Sequence, residues 1–403
     1  MKKVIVLGTG VVALGTMYAY AKAGIRVIHL TYKQDDIASL SRFVSEKHVV
    51  PMPPQGDAEL LDFLMNSCAD WSGSLLDPVN DPGVVFCSVH HATLSQRFSI
   101  SIPPWDVLKG IINKNELYLR AYEIGVPAPK IWKFNSVHEL EAHAGEFDYP
   151  CIIKPDQTPA FFERYNQKVL VARDSPSLMA QFQDVQAHHL DVMVSEIIPG
   201  NETSYFIYVC HLDGRGRILA EVCLQKIRQH PAAFGVGSVI KTVPMVAEVR
   251  DASLKLLRDY KYTGFSATEF MLDQTHQCYK LIEINTRQVL YVSLFEKLGI
   301  NFCEIMHADK VEGRAICKEG YPSGVYWIHL IQEIWEYRAR RALPGFSLLD
   351  FLAPFFSRRK VFALSLLSDP LPFLRHVSKF SRFIFDRKRM IGRKQAEIET
   401  RGL

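Results

Sequence analysis

Three residues in the second half of the chain, Glu269, Glu283 and Asn285, carry hard oxygen atoms at a spacing that lets them share one ion. They lie within GFSATEFMLDQTHQCYKLIEINTR, Gly264 to Arg287. Two β-rich runs, 265–272 and 279–285, flank a polar connection from Asp273 to Gln277, a pattern that predicts a hairpin. Glu283 and Asn285 are two apart, so a strand puts them on one face. Glu269 lies on the partner strand, within reach in an antiparallel register. Two carboxylates and an amide oxygen suit Mg²⁺ of the kind that also holds nucleotide phosphates. An ordinary polar face on an amphipathic hairpin competes with that chemistry, and the E-x-N spacing alone does not decide between them.

The elements that must position this hairpin begin at the N-terminus. Lys3–Leu7 predicts a buried strand, Gly8-Thr9-Gly10 a tight turn, 11–23 a helix closed by Gly24, and 25–30 a second strand. Gly8, Gly10 and Ala13 formally satisfy the G-x-G-x-x-G/A dinucleotide fingerprint. The acidic residue wanted at the end of the second strand is missing, since Leu30-Thr31-Tyr32 stands there and Asp35 and Asp36 follow only after a loop. A Rossmann-like half-domain without a dinucleotide is the expectation. Residues 84–88 predict another buried strand, leading to His90-His91, whose adjacent side chains would point to opposite faces and make a poor metal pair. A boundary falls near Ile102-Pro103-Pro104, and 106–125 predicts a helix broken at Val126-Pro127-Ala128-Pro129. Strands are expected at 151–155, 167–172 and 192–198, with a serine-capped helix at 175–186 between the last two. A hairpin across Asp213-Gly214 joins 205–212 to 217–226. The glycine-rich turn Phe234-Gly235-Val236-Gly237, a strand at 238–243 and a helix at 249–260 then lead into the Gly264–Arg287 hairpin.

The length of 403 residues is enough for two or three domains with a buried core. A hydrophobic share of 48% with 22% charged residues is that of a globular protein, and no apolar run is long enough to span a bilayer. The eight cysteines show no C-x-x-C pair or zinc spacing, which fits reduced, mostly buried thiols and a cytoplasmic setting. The net charge of +4 conceals an asymmetry: from Arg338 onward fifteen Lys/Arg face five Asp/Glu, about +10, leaving about −6 for the rest.

Read together, these pieces resemble the ATP-grasp superfamily over residues 1–310. Asn113-Lys114 ahead of Glu123-Ile124-Gly125-Val126-Pro127-Ala128-Pro129 is similar to its lysine–GvPvP element, and Lys154 in IIKP is similar to its second nucleotide lysine. Ser195-Glu196-Ile197-Ile198-Pro199-Gly200-Asn201-Glu202 resembles the hinge that takes adenine and ribose, and Glu269, Glu283 and Asn285 match the magnesium set. Lys226-Ile227-Arg228-Gln229 followed by Phe234-Gly235-Val236-Gly237-Ser238 resembles carboxylate–amine ligases of the D-aspartate ligase kind. The loop from Pro155 to Arg164 does too, standing where many relatives have a glycine-rich phosphate lid.

The resemblance implies an α/β chain, α+β in its catalytic part. Residues 1–104 would form a Rossmann-like domain, 105–310 the ATP-grasp domain with a lid near 135–195, and 311–403 a basic extension. ATP and Mg²⁺ are the implied cofactors. Lys114, Lys154 and Lys168 would face the phosphates, and the backbone of Glu196 and Ile198 the adenine edge. Glu202 would accept the ribose hydroxyls. Arg287 would hold an acyl phosphate or a substrate carboxylate, and Lys226 and Arg228, two apart on one strand face, would assist with phosphate. The implied activity is ATP-dependent amide formation between a carboxylate, an amino acid by the resemblance, and an amine in cell-envelope or polysaccharide synthesis. A silent nucleotide-binding protein tethered to a membrane by its basic tail is the alternative, and a nicotinamide oxidoreductase built on Gly8 and Gly10 is a third. Two departures stand out. The usual N-P-R is Asn285-Thr286-Arg287, and His90-His91 replace a small-polar and acidic pair, which bears on the identity of the acceptor.

Within the tail, Leu374, Val377, Phe380, Phe383 and Ile384 form an apolar helical stripe edged by Arg375, Lys379, Arg382, Arg387, Lys388 and Arg389. Peripheral contact with anionic lipid and docking on the protein body are both consistent with it. Nucleic acid is not expected as a partner, because neither a recognition motif nor a basic body accompanies the tail.

Overall fold

Apolar residues at alternate positions of the first strand feed two different cores, and the architecture follows from that. Val4 and Val6 pack into one cluster and Ile5 and Leu7 into another, all fully buried. A strand buried on both faces belongs inside a parallel sheet. Here β1 (Lys3–Leu7), β2 (Arg26–Thr31), β3 (Val44–Val49), β4 (Leu75–Pro78) and β5 (Ser99–Ile100) form one in the order β3-β2-β1-β4-β5. The computed structural model describes residues 2–66, 69–155, 158–232, 234–364 and 368–378.

A second sheet of β6 (Ile131–Trp132), β7 (Cys151–Pro155), β8 (Leu170–Ala172) and β9 (Val192–Glu196) runs β6-β9-β7-β8 over its own core, which includes Phe134, Phe161 and Phe182. The third and largest sheet holds β10 (Tyr205–Leu212), β11 (Ile218–His230), β12 (Val236–Thr242), β13 (Gly264–Asp273), β14 (Cys278–Asn285), β15 (Tyr326–Ile328) and β16 (Lys360–Phe362). Its order is β14-β13-β10-β11-β12-β15-β16. Phe265, Phe295 and Trp327 share a core with Val4 and Val6, so one apolar cluster joins the first sheet to the third. Residues beyond 311 add two strands to this sheet, β15 antiparallel to β12 and β16 parallel to β15.

The predicted hairpin forms as β13 and β14. Three local expectations change. Residues 84–88 are helical, within Asp81–Val89, and the strand lies earlier, at β4. A fully buried apolar run does not reveal its own period, whereas Asp81-Pro82 is a helix-start signal. His90 and His91 therefore sit at a junction of two helices, with His90 3.6 Å from Asp57. The helix expected across 106–125 breaks at Asn113, whose side chain accepts hydrogen bonds from the N–H groups of Asn115 and Glu116 and caps the Lys114–Glu123 helix. The Ser175–Ala187 helix is capped by Asp174 in a reciprocal pair with Ser177. The tail residues Lys379 to Arg389 and the apolar positions among them lie outside the described residues.

The glycine turn after β1 is internally satisfied. The Gly10 N–H donates to Asp36 Oδ1 at 3.0 Å, and Thr31 and the Ala38 N–H donate to the same carboxylate. Asp36 thus lies at the start of the Gly10–Lys22 helix, where a pyrophosphate would otherwise accept. Gly8 has φ 143°, and a Cβ there would run into the Asn80 side chain. The tight turn serves the fold. Asp36→Ala is expected to cost about 1–3 kcal/mol in urea denaturation, because it leaves those donors without their acceptor. Purified wild-type protein should show no bound NAD(P) or flavin by absorbance or mass spectrometry.

Candidate active site

The register of β13 against β14 sets Glu269 directly opposite Glu283 and Ala267 opposite Asn285. Two carboxylates therefore face each other across one antiparallel pair, an arrangement that repels unless cations answer it. They do so from several directions. Lys114 Nζ, at the start of its helix, lies 3.4 Å from Glu283, and Asn285 Nδ2 donates to the same carboxylate at 2.9 Å. Lys226 on β11 donates to Glu269 in a buried pair and sits 4.3 Å above the Tyr205 ring.

These neighbours split the proton affinities of the two acids. Burial would raise Glu283, but Lys114, the Asn285 amide, Lys226 and Arg287 hold it down at about 2. Glu269 is raised by burial and by Glu283, against the pull of Lys226. Lys154, at the end of β7, is pushed down to about 7 by burial and by the nearby charge of Lys114, with its ammonium 5.8 Å from the Tyr118 ring centre. Lys168, exposed on the segment entering β8, feels the charges of Glu283, Lys226, Lys114 and Glu269. Lysines of the four-stranded and the seven-stranded sheet thus lie near the same two acids. Lys280 on β14 joins the two sheets directly, 2.6 Å from Glu196 on β9.

Lys114, Lys154, Lys168, Lys226, Glu269, Glu283, Asn285 and Arg287 converge on this cluster. Arg287 forms a two-point contact with Asp81, at 2.5 and 3.2 Å, so a residue of the first sheet's layer orients it. Lys226 and Arg228, expected to share a strand face, take different partners. The ladder between β11 and β12 shifts register on both sides of Arg228, and an irregularity of this kind re-aims side chains. Lys226 turns to Glu269, while Arg228 pairs with Glu333 at 2.6 Å and stacks on Phe351.

At the hinge, the Glu196 N–H is committed to the Lys130 carbonyl and its side chain to Lys280, while Ile198 follows, buried. Glu202 accepts two hydrogen bonds from Arg340, at 2.5 and 2.7 Å, and one from the Gln229 N–H. Arg340 ends the Leu330–Arg340 helix, in the stretch expected to be a basic extension. The same helix places Glu336 on His230 at 2.7 Å and Glu333 on Ser238 at 2.7 Å. Asp81, Glu333, Glu336 and Arg340 were not predictable as site neighbours. Asp81-Pro82 announces only a helix start, and nothing local marks an acid as the partner of an arginine far along the chain.

No family model matches the chain. It is 21% identical over 268 residues to the D-aspartate ligase of Enterococcus faecium, covering 64% of this chain and 61% of that protein. The chain thus spans less than two thirds of the length of that curated relative. The biotin carboxylase domain of Hydrogenobacter thermophilus 2-oxoglutarate carboxylase, solved with MgADP, ADP and bicarbonate, superposes with a TM-score of 0.62. That match has 17% identity and covers 81% of this chain and 73% of the other. The L-amino acid ligase of Bacillus licheniformis gives 0.58 at 16% identity, covering 78% and 77%. The chain has the ATP-grasp fold. The likeness to D-aspartate ligase is one of sequence, and the likeness to the two solved structures is one of fold.

The paired carboxylates also fit a divalent cation. Glu269 and Glu283 raise each other's electrostatic cost, and an added positive charge between them would relieve it. The Lys226–Glu269 pair makes the site testable without substrate. Lys226→Ala leaves Glu269 buried without its cation, and a raised carboxyl answers by keeping its proton. A folded-state pKa above the unfolded value gives stability at acid pH that is lost as pH rises through it. The variant's loss in melting temperature should accordingly be larger at pH 8 than at pH 5, and a uniform loss across that range would contradict the pairing.

Proposed function

We propose that the protein is an ATP-dependent, ADP-forming carboxylate–amine ligase that works through an acyl phosphate. The observation that carries this is the face-to-face Glu269 and Glu283 pair with Asn285, ringed by Lys114, Lys154 and Lys226 from three separate elements. ATP brings about four negative charges, and cations on two facing sheets suit attraction and closure around it. Glu269, Glu283 and Asn285 would hold Mg²⁺, which when bound offsets charge on the transferring phosphoryl group. Glu196 and Ile198 would meet the adenine edge and Glu202 the ribose, with Arg340 sharing or yielding that carboxylate. Arg287, oriented by Asp81, would bind the substrate carboxylate or acyl phosphate. Lys168 would add a phosphate-facing charge. Arg228, tied to Glu333, would keep β11 in place beside Lys226 rather than touch phosphate. The likeness to D-aspartate ligase and to L-amino acid ligase favours an amino acid as the carboxylate and a role in cell-envelope synthesis. Peripheral contact with an anionic membrane belongs to the same proposal, given the basic C-terminal charge.

The experiment is ADP and phosphate release over a panel of D- and L-amino acids, with and without amine acceptors. Glu283→Gln should reduce release by more than about a hundredfold while keeping the wild-type melting temperature. Near wild-type turnover in that folded variant would remove the site assignment. No release with any acid, in protein that still binds ADP, would favour a silent nucleotide-binding protein.

Lys154 supplies a second check. With its pKa near 7, the side chain is largely neutral at about pH 8.5. Bound phosphates favour the ammonium, so ADP binding in that range should take up about one proton, and affinity should fall as pH rises above 7. Calorimetry in buffers of different ionisation enthalpy measures the uptake. Lys154→Arg should abolish it while keeping binding, and an unchanged uptake would assign the proton to another group.

A further inference from the structure

The Leu348–Phe356 helix presents an apolar face to solvent. Its inner side is anchored: Phe351 is buried beneath the Arg228 guanidinium, with Tyr337 and Phe346 at 5.7 and 5.8 Å, and Pro354 is buried beside it. Its outer side carries Leu348, Leu349, Leu352, Ala353 and Phe356. At 100° per residue these five fall on one arc of about 140°. Leu349 is 80% exposed, Phe356 76% and Leu348 48%. The only acid of the helix, Asp350, lies off that arc, and Leu343, 58% exposed, precedes it.

Cations stand at both ends of the arc. Arg338 and Arg341 come before the helix, and Arg358 and Arg359 directly after it, all exposed. Among the described residues Arg341, Arg358 and Arg359 make no ion pair. From Arg338 to Lys360 six Lys/Arg face one Asp/Glu.

From this juxtaposition we infer that the Leu348–Phe356 helix is a membrane-surface element that lays its outer arc into the headgroup boundary of an anionic bilayer. The chemistry matches in both parts: an apolar arc of leucines and a phenylalanine for the acyl boundary, and flanking arginines for the phosphate layer. A second copy fits poorly, because a two-fold contact through this face would bring the same unpaired arginines together. The segment 379–403 fits poorly for a related reason, since its eight Lys/Arg against three Asp/Glu would be laid beside them. The proposal extends the functional one by locating the membrane contact on a folded element rather than on the tail stripe. It does not depend on which bond the enzyme forms.

The test is sedimentation of the full chain with phosphatidylglycerol-containing vesicles and with pure phosphatidylcholine vesicles, at low and high salt. Wild-type protein should bind the anionic vesicles at low salt and lose most of that binding at high salt. The exposed double substitution Leu349→Asp/Phe356→Asp should weaken binding by at least about tenfold with an unchanged melting temperature and unchanged ADP binding. Arg358→Ala/Arg359→Ala should weaken it in the same direction. A Phe356→Trp protein should gain fluorescence quenching by brominated lipid. Three results would overturn the inference. One is failure of the wild type to bind anionic vesicles. Another is binding that survives Leu349→Asp/Phe356→Asp but is lost when the cations from Lys379 to Lys394 are neutralised. The last is a concentration-dependent dimer that the double substitution dissolves.

Discussion

The repulsion between Glu269 and Glu283 is the constraint on which the rest of the site depends. Register places them opposite each other, and neither can leave without breaking the β13–β14 ladder. What makes the arrangement tolerable is a set of cations delivered by a helix start, by β11 and by the segment after β14. The cost reappears in proton affinities, with one acid held low, the other raised, and Lys154 deprived of part of its charge. A site built this way holds two like charges together and balances them with lysines, and side chains so perturbed mark it as a candidate functional centre.

A second constraint runs through the Leu330–Arg340 helix. Glu333 and Glu336 are almost fully buried and are held by Arg228, Ser238, His230 and Arg340. Buried acids stripped of such partners would be strongly destabilising, so the network fixes the helix against β11 and β12. Arg340 carries it on to Glu202, and Phe351 packs under Arg228 from the other side. The C-terminal part of the chain therefore reaches Glu202 through ion pairs and the seven-stranded sheet through β15 and β16. It is joined to the body by structure as well as by charge.

Much of this was legible in residue order. The hairpin was readable because two β-rich runs bracket a short polar connection, and the E-x-N face followed from the two-residue period. Lys154 was readable as a lysine closing an apolar strand before Pro155, and Lys114 through the lysine–GvPvP resemblance, while the helix break at Asn113 was not. Helix 81–89 was not, because its short, continuous apolar run shows no period, and the separate partners of Lys226 and Arg228 were not, because a register shift leaves no mark in the letters. The turn at Gly8 and Gly10 was expected to hold no dinucleotide, and the fold shows the acceptor that the letters could not, Asp36 brought onto the Gly10 N–H.

By itself, the sequence determined the strand-and-helix order around the hairpin, the oxygen-bearing side chains at Glu269, Glu283 and Asn285, and the split between an acidic body and a basic C-terminal part. These depend on period, turn chemistry and composition, all of which act locally. Tertiary structure alone decided the partners: Arg287 with Asp81, 206 positions away, Glu202 with Arg340, 138 away, and Lys226 with Glu269, 43 away. It also decided which side of the Leu348–Phe356 helix is covered. Pairing and coverage at such separations depend on how sheets and helices pack, and the same residue types would have met other neighbours in another arrangement of the same elements.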